Sequence, residues 1–251
     1  MLNFIKAELW KVSRRMSFYV VMGFLLLCAH LFGLLFAGDS FHQLVTGICG
    51  TMFAGLVAVP MLVELVDKSF GETLRNESSF GISREESYLG KLFSILLVGL
   101  ALCAVLIGGV LLSGYVFLSH DSARKELSAL LILAYCLAAA LPVWCAMAGL
   151  CHMLATIFRS EAVWTSLYCL SLTFLDPIII TVVVTATGIY LDPSQPRLLY
   201  NVLLPWSLLV TENMSGHLTL SFLLQCWAVG LGWLGGTTAV GLMVLRRRRL
   251  R

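Results

Sequence analysis

The sequence predicts an all-α membrane protein with six transmembrane helices and both termini in the cytoplasm. Three observations predict it. The first is composition: of 251 residues, 59% are hydrophobic and only 12% charged, with a mean hydropathy of +0.91. A soluble domain carries about a quarter charged residues, and a chain of this size cannot hide so much apolar surface in one core. The second is the spacing of apolar runs. Six of them, at about 17–37, 43–66, 92–118, 127–158, 161–190 and 221–245, are long enough to cross roughly 30 Å of hydrocarbon. The third is the distribution of Lys and Arg. With the N-terminus inside, the inside segments 1–16, 67–91, 158–160 and 246–251 hold 14 of the 17 basic residues. Only Arg124, Lys125 and Arg197 fall outside, and such a bias sets orientation. The chain reads as one transmembrane domain, 1–251.

In chain order, residues 1–16 form an amphipathic lead-in. Phe4, Ile5, Leu9 and Val12 recur at helical spacing, accompanied by Lys6, Lys11, Arg14 and Arg15. The first apolar run is too long for the core of a cleaved signal peptide, and no small-residue cleavage pattern precedes Gly38. The fourth run is over-long and contains Pro142, which predicts a kink or tilt. The fifth contains Asp176. A carboxylate at mid-membrane is costly enough to mark function. Asp176–Pro177 is also a favoured N-cap followed by Pro at the first helical position, which would split the run into two half-helices. Capping and ligand or proton handling both remain open. Residues 191–220 begin with the turn-rich DPSQP and continue through leucines broken by Pro205. This segment reads as interfacial or re-entrant, with Tyr200 and Trp206 at headgroup level. Gly232 and Gly236 give a spacing that permits close helix contact in the last span. The closing arginines suit an anionic inner leaflet, so the lipid bilayer is itself a partner.

The longest polar stretch, 67–91, separates the second and third runs. It carries Asp67, Lys68, Glu72, Arg75, Glu77, Arg84, Glu85, Glu86 and Lys91. Ser69 with Glu72, and Ser83 with Glu86, each have capping-box spacing. Gly81 between them suits a left-handed helix stop. A short helix is expected over about 69–80, then a turn, then a second helix entering the third span. Phe70 and Leu74 make an apolar stripe on the short helix. A docking helix and a loop lying on headgroups are the two readings of it.

Catalytic and cofactor signatures are missing from the sequence. There is no G-x-x-x-x-G-K-[ST], G-x-S-x-G or H-E-x-x-H. All eight cysteines fall within apolar runs and no C-x-x-C occurs, so small buried hydrophobes are expected rather than disulfides or zinc. No cofactor or metal is expected in this chain. The only dense basic run flanks a span, which argues against nucleic acid.

On these features the chain resembles the permease subunits of ABC-2 type transporters, most closely the bacitracin-resistance and lantibiotic-immunity permeases. Glu72-Thr73-Leu74-Arg75-Asn76 is similar to the family's "E-x-G-T-x-(K/R)-N" segment. Gly81-Ile82-Ser83-Arg84 and Tyr88-Leu89-Gly90-Lys91 are similar to its "G-x-S/T-R" and "Y-x-x-K" continuation. Gly71 precedes Glu72 here, where the family often places Gly just before the Thr. The resemblance implies a multi-pass permease of a bacterial cell membrane that exports an amphiphile such as an antimicrobial peptide. It implies a separate ABC ATPase subunit holding ATP and Mg, and a second permease, identical or sister. Phe70, Glu72, Thr73, Leu74, Arg75, Asn76, Gly81 and Arg84 would then form the coupling surface. The alternative is a non-transport scaffold or sensor that binds a cytoplasmic partner through 67–91. A membrane-embedded enzyme is a third reading, which would need polar residues gathered within the spans.

Overall fold

The computed structural model describes residues 2–36, 39–67, 81–158, 160–187, 198–210, 214 and 218–247. Among these the chain is almost wholly helical and has no strand; Ser40 and Ser119 form an isolated bridge. Nine α-helices are described: α1 (Leu2–Ser13), α2 (Met16–Phe36), α3 (Phe41–Gly50), α4 (Val59–Asp67), α5 (Arg84–Phe117), α6 (Ala123–Ile157), α7 (Glu161–Thr187), α8 (Leu198–Leu203) and α9 (Leu220–Arg247). Two tighter 3-10 turns lie at Met52–Ala58 and Pro205–Leu209. Helices α5, α6 and α9 are each long and apolar enough to cross a membrane. The bent pairs α1–α2 and α3–α4 raise the number to five if each is one span. This is a multi-pass helical membrane protein.

The centre of the bundle is α6, which packs most extensively on α9 and also touches α3, α4, α7 and the Pro205–Leu209 turn. Its inward face is small: Ala139, Ala140, Val143 and Ala146 are fully buried. Gly230 of α9 lies against the Pro142 backbone, where a Cβ would stand 2.5 Å from the Pro142 carbonyl carbon. Pro142 does not end α6, which stays helical from Ala123 to Ile157. Proline removes the N–H that the carbonyl four residues earlier would accept. That carbonyl, Ala138 O, instead accepts from Trp227 Nε1 of α9 at 3.1 Å. The neighbouring helix thus repairs the ladder, as hydrocarbon requires.

The second apolar run, expected as one span over 43–66, is broken. Helix α3 ends at Gly50, a 3-10 turn covers Met52–Ala58, and α4 resumes at Val59 with a bend of 61°. The carbonyls released by the break are met from far along the chain. Trp144 Nε1 donates to Met52 O at 3.0 Å and Tyr168 OH to Leu56 O at 3.0 Å. Gly55 makes room for the indole, since a Cβ there would come within 3.1 Å of it.

The fifth run departs the other way. Helix α7 passes unbroken through Asp176 and Pro177. An N-cap needs non-helical backbone, so the division into two half-helices capped by Asp176 is not what forms.

The described part of the segment after α7, 198–210, packs into the bundle. Trp206, expected at the interface, is only 2% exposed, and Leu204, Leu208 and Leu209 are wholly buried. Trp233, thirteen residues into α9, donates from Nε1 to Val202 O at 2.7 Å. That depth is about 20 Å along the helix. The Pro205–Leu209 turn meets the Met52–Ala58 turn there, so two irregular stretches share one buried layer. The Tyr200 side chain lies outside the described residues.

Candidate functional site

The ends of the chain segments rich in Lys and Arg come together at one pole of the bundle. Helix α1, bent 69° from α2, lies across the start of α5 and the end of α4. Its predicted stripe faces inward: Val12 is 2% exposed, while Lys6 and Lys11 point out. Phe4 covers Gly90, where a Cβ would stand 2.7 Å from Phe4 Cε1. Glu8 is the unexpected member of that face. It is buried, and Lys11 Nζ reaches Glu8 Oε1 at 2.5 Å. Arg15 donates from Nη1 to Leu65 O at 2.6 Å. A helix leaves its last carbonyls unpaired, and a cation there is favoured. The arginine thereby clamps the shelf formed by α1 to the point where α4 hands over to the polar segment.

The other edge of that segment is set by local chemistry. Gly81 has φ +81°, a conformation that costs glycine little. Ser83 caps α5 by accepting from Glu86 N at 3.2 Å, and Glu86 Oε2 accepts from Ser83 N at 3.4 Å. Arg84 is the first residue of α5. Glu85 then pairs with Arg246 of α9, Nε to Oε1 at 2.8 Å. Both side chains are well exposed, so this pair fixes alignment more than it adds stability.

Below this rim lies a compact polar layer. The Tyr88 ring lies against His152 of α6, with centroids 4.6 Å apart and planes tilted by 38°. Its hydroxyl end presses on Gly241 of α9, where a Cβ would stand 2.6 Å from Tyr88 Cζ. Lys91, Ser87 and Thr156 are all buried at this level. Glycines at 90 and 241 therefore allow α1 and α9 to close on α5 just where the polar segment joins it. The result is a closely packed platform holding both ends of 67–91 at one face.

Gly81 and Arg84 are thus placed on the platform. Phe70, Glu72, Thr73, Leu74, Arg75 and Asn76, with the Ser69–Glu72 capping box, lie outside the described residues. Asp176 has described backbone only and is far along the chain from the platform. Sequence reasoning missed the burial of Glu8, and Tyr88, Lys91 and His152 as parts of one layer. Tyr88 was noted only as a motif position and Lys91 also as a charge of the polar stretch, yet Lys91 is 2% exposed, and nothing in their spacing signals burial. Among the described residues no three His, Cys, Asp or Glu side chains gather as metal ligands. No family model matches the chain, and no curated protein is significantly similar to it.

Proposed function

We propose that the chain is the membrane-spanning permease subunit of an ABC exporter, driven by ATP hydrolysed on a separate subunit. The pole bearing α1, the junctions of 67–91 and the C-terminal arginines is its cytoplasmic face. The observation that carries this reading is the platform. Its clamps, Arg15 to Leu65, Ser83 with Glu86 and Glu85 with Arg246, hold the two ends of a polar segment with an apolar stripe. A partly apolar stretch of sequence whose two junctions are held at one pole suits the docking of a soluble partner better than free solvation. The resemblance of 72–91 to the ABC-2 coupling region supports an ATPase as that partner. It also supports an amphiphilic cargo, with antimicrobial peptides as the implied class, and a second permease copy.

The test is purification from native membranes in mild detergent, with identification of what remains bound. The expected companion is an ABC ATPase in fixed ratio. In Leu74→Asp an unpaired charge would enter the contact, and a desolvated lone charge is strongly disfavoured. That variant should insert normally and lose the ATPase. Retention of the ATPase by Leu74→Asp would remove the docking role of the stripe. A companion that is not an ATPase would favour the scaffold or sensor reading.

A further inference from the structure

A cavity of about 430 Å³ lies between α2, the α3–α4 break, α5 and α6. Four separate stretches each line it with a glycine: Gly33, Gly47, Gly55 and Gly99. A Cβ at Gly47 would meet nothing within 4 Å. Of its polar lining groups, Thr51 Oγ1 donates to Ile48 O and Trp144 Nε1 to Met52 O. The lining is mostly apolar, and dry apolar cavities of about 150 Å³ already bind small hydrocarbons. The lining extends along α5 from Ile95 to Val110. Fifteen residues correspond to about 22 Å of helix, most of a hydrocarbon layer roughly 30 Å thick. The space is therefore a slot along the span, not a pit. It opens sideways, because Cys28 of α2 and Leu100 of α5 line it and are also exposed on the outer, apolar surface.

We infer that this slot holds one acyl chain of a bilayer phospholipid, entering between α2 and α5. The side opening joins the slot to the lipid-facing surface, and its walls are mostly apolar, which suits an acyl chain better than a peptide backbone. The inference depends on the helices crossing a membrane and not on the exporter reading.

Trp144 lines the slot and reports its content. The full chain would be reconstituted in vesicles of phosphatidylcholine with brominated acyl chains, which quench indole fluorescence on contact. The contribution of each tryptophan is the difference from its Trp→Phe variant. Trp144 should be quenched as strongly as the lipid-facing Trp227, which is 39% exposed, and far more than Trp206, which is 2% exposed. Filling the slot with Gly47→Leu should reduce Trp144 quenching to the Trp206 level. Gly99→Leu serves as a second filling variant should Gly47→Leu fail to fold. Unquenched Trp144 in the unfilled protein would overturn the inference, whether the slot is empty or occupied by a peptide or second copy. Equal quenching in a folded, filled variant would overturn it too, because lipid would then reach Trp144 by another route.

Discussion

The repaired helix ladder at Pro142 gives a sharp test of how this bundle holds together. Removing the Trp227 indole N–H with Trp227→Phe leaves Ala138 O without its donor. A buried acceptor left unsatisfied costs about 1–3 kcal/mol in proteins generally. Interhelical hydrogen bonds in membranes average only about 0.6 kcal/mol and reach about 1.7. Trp227 is partly lipid-facing, so the lost ring area counts for little, because lipid solvates it as well as protein does. The expected cost is about 1 kcal/mol, from the hydrogen bond alone. The cause is isolated by a second background. Pro142→Ala restores an N–H that Ala138 O can accept within α6, so the indole becomes redundant. In that background Trp227→Phe should cost nearly nothing, and the double-mutant coupling should approach the whole single-mutant effect. The assay is reversible unfolding in mixed micelles with increasing SDS, followed by circular dichroism. An equal cost of Trp227→Phe in both backgrounds would refute the proposed repair.

Further outcomes are expected. Gly230→Val should destabilise the protein by about 1–3 kcal/mol in the same assay, because the clash is with Pro142 backbone that cannot rotate away. A smaller effect would mean that α6 and α9 are not in close contact there. Tyr168→Phe should lower stability by about 1 kcal/mol and speed backbone hydrogen exchange in 52–58, since Leu56 O loses its donor. Unchanged exchange would show that the break is held by something else. In a cysteine-free version, a single cysteine at Ser122 should react with a membrane-impermeant reagent added outside, and one at Ser79 only after permeabilisation. External labelling at Ser79 would overturn the cytoplasmic assignment of the platform.

The helical membrane character, the amphipathic lead-in, the left-handed Gly81 and the Ser83–Glu86 cap were all legible in the residues. Hydropathy acts along one segment, and caps act over three residues, so both are written locally. Residues 70–76, proposed for docking, lie outside the described residues, and the structure adds nothing to that reading. The polar layer of Tyr88, Lys91 and His152 was illegible for a different reason. Each residue is unremarkable on its own helix, and only the close approach permitted by Gly90 and Gly241 buries them together.

Two breaks show where sequence stops deciding. Asp176–Pro177 has the local pattern of a helix start, yet α7 continues through it. The stretch 43–66 has one strong local breaker in Pro60, yet the chain departs from the α-helix earlier, at Gly50. In hydrocarbon a break is stable only where neighbours satisfy the freed carbonyls. Trp144 and Tyr168, about a hundred residues away, do this for Met52 and Leu56. By itself the sequence determined that the chain is helical and apolar enough for a membrane and that Ser83 with Glu86 starts a helix, because those depend on solvent and on near neighbours. Only the tertiary structure decided which helices break and which continue, because that depends on which distant donors reach the backbone.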